Sequence, residues 1–339
     1  MYAPLPDRPV VALAMAPTAM PDVLPPAVVS RIQRVAEFDA ATSLADFGTP
    51  PARRILARTD ILLTGWGCPR VDAATLHAAP RLRAVVHAAG SVRRPVAPEV
   101  YERGVLVSSA AEANARPVAE YTLATLVLAA KRALERARAY QRDGLFLGAS
   151  YPRSLGLAGT TVGVVGASRI GRLVVAGLRR LDVHVLLYDP YLTAADAAAL
   201  GAEAVDLDTL CGRADVVTVH APQLPETRHM IDDRRLALMR DGAVLINTSR
   251  GSLVDTEALT RHCGQGRIDA VLDVTDPEPL PAGHPLLRLD NVLITPHLAG
   301  AEGLERRRLG EYAADEIERL VAGRPLAGLV RADDLTRIA

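Results

Sequence analysis

Ten short apolar runs, set apart by alanine-, arginine- and leucine-rich stretches, constrain this chain more than any other feature of its 339 residues. They are Val10–Leu13, Ile61–Leu63, Ala84–Val86, Val105–Val107, Val162–Val165, Val183–Leu187, Val216–Val219, Val244–Ile246, Ala270–Leu272 and Val292–Ile294. Each is too short for a helix and apolar on both faces, so each needs cover on two sides. Strands of that kind, alternating with helical segments, belong in parallel sheets assembled from βαβ units. Residues 113–143 contain no glycine and one proline, Pro117, near the start where a helix tolerates it. They predict the longest helix of the chain, and a last helix is predicted over Glu302–Ala322. The long helix separates two α/β blocks, residues 1–112 joined by 299–339, and residues 113–298. A cleft and two hinges are expected between them.

Composition narrows the function classes. The chain is 49% hydrophobic and 23% charged, a globular balance with ample material for a core. Lys+Arg and Asp+Glu are both 39, so no net field draws nucleic acid or an anionic membrane. Every basic residue except Lys131 is arginine, which reads as a codon bias rather than a binding patch. Cys68, Cys211 and Cys263 are odd in number, widely spaced and in no metal-ligand pattern, as expected for reduced thiols. No export signal is visible, Val10–Ala16 is too short to span a bilayer, and Tyr121–Ala130 is closed by Glu120 and Lys131 as in a buried helix. The expected location is the cytoplasm.

Thr161-Val-Gly-Val-Val-Gly-Ala-Ser-Arg-Ile-Gly171 reads as a strand, a tight glycine turn and a helix start. Gly166 makes the turn, Gly171 lets the helix approach the strand, and the N–H groups between them face a pyrophosphate. Ser168 stands where the usual pattern has its middle glycine; its hydroxyl is small and can donate to a phosphate. The next apolar run ends in Asp189, 18 residues after Gly171, where a carboxylate bonds ribose hydroxyls and repels a 2′-phosphate. The expected cofactor is NAD rather than NADP.

Three later runs end in polar residues. Gly242-Ala-Val-Leu-Ile-Asn-Thr-Ser-Arg-Gly251 presents Arg250, Asp269–Pro281 presents Glu278, and Asn291-Val-Leu-Ile-Thr-Pro-His-Leu-Ala-Gly300 presents His297. In an open α/β sheet the carboxyl ends of the strands face the ligand.

With the glycine loop, this set resembles the D-isomer-specific 2-hydroxyacid dehydrogenase family over nearly the whole chain. The resemblance rests on Asn114–Glu120, Gly163–Gly171, His220–Pro222, Glu226–Arg228, Asn247–Gly251, Asp273–Pro281 and Thr295–Gly300, in that order. It implies a Rossmann cofactor domain inserted in a flavodoxin-like substrate domain, both doubly wound parallel sheets. It also implies interconversion of a small anionic 2-keto acid and its D-2-hydroxy acid by hydride transfer. Arg250 would hold the carboxylate and polarise the keto oxygen. His297 would act as general acid/base, and Glu278 would pair with it and favour the imidazolium. Arg169, Ile170, His220, Ala221, Pro222, Thr248, Ser249, Asp273 and Gly300 would join Gly166, Ser168, Gly171 and Asp189 around the cofactor. His77, His184, His229, His262 and His284 read as surface or packing residues. A C2 homodimer is expected through the cofactor domain, since Val118, Tyr121, Leu123, Leu126, Val127, Ala130 and Leu134 exceed one apolar stripe.

Substrate choice is expected from the first block. The resemblance makes Ala89, Gly90, Ser91 and Val92 backbone donors to the substrate carboxylate. Where the family commonly places an acidic residue after this loop, the chain has Arg93 and Arg94. A packing change is the preferred explanation; a pocket for a second anionic group is the other. Trp66 reads either as a wall of the substrate site or as an ordinary buried aromatic. Two further functions stay open: a dehydrogenase of phosphite or of phosphate- or phosphonate-bearing keto acids, and an NAD(H)-sensing protein resembling corepressors.

Overall fold

The computed structural model describes residues 5–144, 146 and 155–337. They form two compact units, residues 1–115 with 301–339 and residues 116–300. In the first, strands β1 (Val10–Ala14), β2 (Glu37–Ser43), β3 (Ile61–Thr64), β4 (Ala84–His87) and β5 (Leu106–Ser109) form a parallel sheet in the order β2-β1-β3-β4-β5. Helices α1 (Met20–Val23), α2 (Pro26–Val35), α3 (Pro50–Leu56), α4 (Ala73–Ala78) and α5 (Pro98–Glu102) connect them. Helix α6 (Ala111–Ala130) carries the chain out of this unit, and α7 (Ala133–Asp143) follows it.

The second unit is a seven-stranded parallel sheet. Its strands are β6 (Thr160–Val165), β7 (Val183–Tyr188), β8 (Glu203–Ala204), β9 (Val216–Val219), β10 (Val244–Asn247), β11 (Asp269–Leu272) and β12 (Val292–Ile294). The order is β12-β11-β10-β9-β6-β7-β8, with α8 (Arg169–Leu178), α9 (Ala194–Leu200), α10 (Leu207–Arg213), α11 (Asp233–Leu238) and α12 (Thr256–Gly264) between them. Helix α13 (Arg306–Val321) closes the first unit. The strand order reverses direction at β6, which is the doubly wound arrangement, and in such sheets ligands sit at the carboxyl ends beside the reversal.

Burial on both faces explains why the apolar runs became strands. Along β1, Val11 and Leu13 enter one core cluster while Ala12 and Ala14 enter another on the opposite face. Along β10, Val244 and Ile246 pack on one side and Leu245 on the other. Each buried Leu or Val contributes about 1.5–3 kcal/mol, so these short strands gain most of their stability from the helices above and below. Beyond β5 the chain returns antiparallel, Ser108 bridging Leu329. Glu316 on α13, only 1% exposed, holds that return by accepting from Ser108 Oγ at 2.5 Å and from Ala327 N and Gly328 N at 2.9 Å.

Three expectations need correction. The helix over 113–143 is broken: Arg132 takes a left-handed conformation (φ +53°) and buries its side chain against Asp269 and the Gly242 carbonyl. A long-range pair ends the helix there, and no local breaker marks it. Pro117 lies inside α6, in its second turn, rather than at its opening. The final helix begins at Arg306, after a 3₁₀ turn over Gly303–Glu305. Strands β2 and β8 lie outside the ten apolar runs; β2 buries only Phe38 and β8 is fully exposed, so neither carries an apolar signal.

Candidate active site

The glycine loop joins β6 to α8. Gly166 has φ +97°, and a Cβ there would stand 2.8 Å from the Ala221 nitrogen; a Cβ on Gly171 would run into the Gly166 carbonyl. Only glycine permits that approach. Ser168 caps the helix, its Oγ accepting from Gly171 N at 3.3 Å, which leaves its hydrogen for an outside acceptor. Arg169 and Ile170 open α8, whose positive end favours an anion. Asp189 follows β7, its carboxylate accepting from Ala167 N at 2.7 Å and Tyr191 N at 2.9 Å. Beside it lies a cavity of about 240 Å³ lined by Leu187, Leu192, Ala197, Val205, Asp189 and Asp206. The loop, helix end and cavity fit a dinucleotide: N–H groups for the pyrophosphate, a cavity for the adenosine, a carboxylate at its side for the ribose.

His220, after β9, is 2% exposed. Its N–H donates to Val165 O at 2.7 Å and its Nε2 bonds Thr218 Oγ1 at 2.9 Å, while Nδ1 meets no partner among the described residues. Burial pushes its pKa down to about 3, so it is neutral and unsuited to proton transfer. Its neighbour Ala221 backs the glycine turn, while the Pro222 carbonyl accepts from Thr227 Oγ1 at 2.7 Å.

Arg250, Glu278 and His297 follow β10, β11 and β12, at the same edge of the sheet as Gly166. His297 Nδ1 and Glu278 Oε1 are 2.6 Å apart, and both side chains are partly exposed. Arg250 is half-buried, with Nη1 donating to Ser249 O at 2.6 Å. Burial draws its pKa below the usual arginine range, and the Glu278 carboxylate pulls the other way, so guanidinium and carboxylate share one field. The loops bearing them touch: a Cβ on Gly251 would collide with the Thr275 carbonyl. A guanidinium, an imidazole and a carboxylate on adjacent strand ends can bind an anion and move a proton.

Ser249 and Asp273, expected around the cofactor, shape these loops together with Asn247. Asn247 Nδ2 donates to Arg250 O at 2.9 Å while its Oδ1 accepts from Ser249 N at 3.1 Å; Ser249 Oγ donates to Val219 O at 2.7 Å. His297 has φ +54°, which costs a side-chain-bearing residue about 1–2 kcal/mol. Asp273, 1% exposed, offsets it: its carbonyl accepts from His297 N at 2.9 Å and its carboxylate from Leu298 N at 2.8 Å and Ala299 N at 2.9 Å. A polar residue ending an otherwise apolar strand was the available signal for Asn247 and Asp273. Gly300 closes the loop at the unit boundary.

In the first unit, loop 88–92 follows β4 with Ala89 and Val92 buried and Gly90 and Ser91 partly exposed. Ser109 Oγ donates to the Gly90 and Ala89 carbonyls. Among the described residues, the N–H groups of Ala89, Gly90, Ser91 and Val92 meet no protein acceptor. Arg93 is partly buried and Arg94 exposed. Trp66, after β3, packs against Ala110, Ala301 and Leu309, with the Arg306 guanidinium 5.7 Å from its ring centroid, a cation–π distance.

Two buried neutral histidines make stability depend on pH. His87, whose Nδ1 bonds Thr64 Oγ1 at 2.9 Å, is pushed down to about 4 by burial, and His220 to about 3. Unfolded, each titrates near 6.5. Below that pH the unfolded chain takes up protons that the folded chain refuses. Stability therefore falls with acidification, by about 1.4 kcal/mol per pH unit per histidine until the folded pKa is reached. Unfolding midpoints measured from pH 6 to 4.5 should fall less steeply in His87→Gln than in the wild type; equal slopes would contradict the assignment.

A family model described as "D-isomer specific 2-hydroxyacid dehydrogenase, NAD binding domain" matches residues 124–299. D-3-phosphoglycerate dehydrogenase of Mycobacterium leprae is 38% identical over 264 residues, 78% of this chain and 49% of that one. The chain thus spans about half the length of that relative. Glyoxylate reductase of Thermofilum pendens is 36% identical over 298 residues, covering 84% of this chain and 86% of its own. The crystal structure of TT0316 protein from Thermus thermophilus superposes with a TM-score of 0.76 at 33% identity, over 95% of this chain and 99% of that one.

Proposed function

The chain belongs to the D-isomer specific 2-hydroxyacid dehydrogenase family, and on that premise we propose that it interconverts a small 2-keto acid and its D-2-hydroxy acid with NAD. The 2.6 Å contact between His297 and Glu278, in the field that also reaches Arg250, carries the reading. Bound NAD would exchange a hydride with the carbonyl carbon. The Arg250 fork binds carboxylate and keto oxygen, drawing electron density from the carbonyl carbon. Glu278 takes Nδ1 of His297, so Nε2 is the atom that gives its proton to the alkoxide in reduction and removes it in oxidation. The N–H groups of Ala89 to Val92 are donors for carboxylate recognition. Residence in the cytoplasm and a homodimer belong to the same proposal. No helix among the described residues is long and apolar enough to cross a membrane, and Leu128 and Tyr140 are exposed on α6 and α7.

NADH oxidation with glyoxylate, pyruvate and hydroxypyruvate tests the activity, and NADH binding without turnover of any keto acid would indicate a sensor instead. A phosphate-bearing keto acid is the second reading. It is favoured by the likeness to D-3-phosphoglycerate dehydrogenases and by Arg93 and Arg94 at the end of loop 88–92. Dianionic keto acids and phosphite in the same panel decide it.

Cofactor choice follows from Asp189. Its carboxylate, fixed beside Ala167, places like charge against a 2′-phosphate, worth several kcal/mol. NAD should exceed NADP by about 100-fold in kcat/KM, and Asp189→Ser should narrow that preference at least tenfold. Equal use of both cofactors by the wild type would refute the role.

A further inference from the structure

We propose that Tyr121 and Thr122, neighbours on α6, are positioning residues that anchor the loops of His297 and Arg250, one loop each. Tyr121 OH lies 2.8 Å from Thr295 Oγ1, which donates to Asp273 Oδ1 at 2.7 Å. The single Thr295 hydrogen is committed to the carboxylate, so Tyr121 is the donor and the relay runs one way, Tyr121 to Thr295 to Asp273. The same carboxylate holds the N–H groups of Leu298 and Ala299, the two residues after His297. Burial and the Asp273 charge raise the Tyr121 pKa, which keeps its phenol a donor.

Thr122 serves the other loop. Its hydroxyl donates to Val118 O at 2.8 Å, so its oxygen receives the hydrogen of Thr248 Oγ1 at 2.9 Å. Thr248 stands two residues before Arg250, and both threonines are buried, beyond replacement by water. Strands β10 and β12 lie on either side of β11. Consecutive residues on one helix thus hold the loops that follow the two strands flanking β11, and so the spacing of guanidinium and imidazole. The family resemblance assigns the chemistry to Arg250 and His297; this inference rests on that reading and adds what holds them.

Tyr121→Phe and Thr122→Val delete one hydroxyl each, and Thr122→Ser retains it as a control. In the cofactor-free chain, amide exchange at Leu298 and Ala299 should quicken about fivefold in Tyr121→Phe and stay unchanged at Ser249 and Arg250, with the converse in Thr122→Val. In turnover, Tyr121→Phe should lower kcat about fivefold with the keto-acid KM within twofold, Thr122→Val should raise that KM about fivefold, and Thr122→Ser should behave as wild type. Unchanged exchange at both loops, or the same pattern from both variants, overturns the inference. Full turnover by a His297→Ala variant would sink the proposed function alone, since the exchange readout does not depend on it.

Discussion

Replacing His297 with alanine is expected to lower kcat for keto-acid reduction by about 10²–10⁴-fold while NADH binds as before, because general acid catalysis at one positioned group contributes that much. The variant separates proton transfer from architecture. The His297 side chain is 49% exposed and among the described residues bonds Glu278 alone, so its removal opens no core cavity. The loop is held instead through main-chain groups, by Asp273 at residues 297 to 299. One structural cost remains, the left-handed backbone at this position. Asparagine tolerates that conformation better than most residues, so His297→Asn keeps the loop and removes the imidazole. Both variants should lose turnover alike. Near-normal turnover in either would leave the 2.6 Å pair a surface contact and remove the proposed mechanism.

Burial decides what could be read from the sequence. The apolar strands of both sheets were legible because a strand covered on two faces must be apolar at consecutive positions, as Ile61–Leu63 and Val244–Ile246 are. Edge strands escape that demand, so Glu37–Ser43 and the exposed Glu203–Ala204 left no trace. The break after Ala130 was equally hidden, since its cause, Asp269, lies far along the chain from Arg132. The same division runs through the site. Arg250, Glu278 and His297 are visible as polar residues closing apolar runs, and the glycine turn by its spacing. The partners of Tyr121 and Thr122 lie 174 and 126 residues away, and contacts at such separations follow from sheet order, which no local periodicity encodes.

Substitution of Arg250 should act on substrate rather than cofactor. Arg250→Met is expected to reduce kcat/KM for a keto acid by about 10²–10³-fold, the scale of losing one partner of a desolvated charge pair, with NADH affinity held within a few-fold. Lysine tests what the charge alone contributes. Its ammonium is a single point of charge without the planar fork, and a half-buried site that already draws the guanidinium pKa downward would discharge a lysine far more readily. Arg250→Lys should therefore recover only a fraction of the loss, and less at high pH than at low. The loop itself survives either change, because it is fixed by Asn247 at the Arg250 carbonyl and by the close approach of Gly251 to Thr275, neither of which involves the side chain at 250. Wild-type efficiency in Arg250→Lys would show that charge suffices and fork geometry is idle; wild-type efficiency in Arg250→Met would take the carboxylate anchor away from this residue altogether.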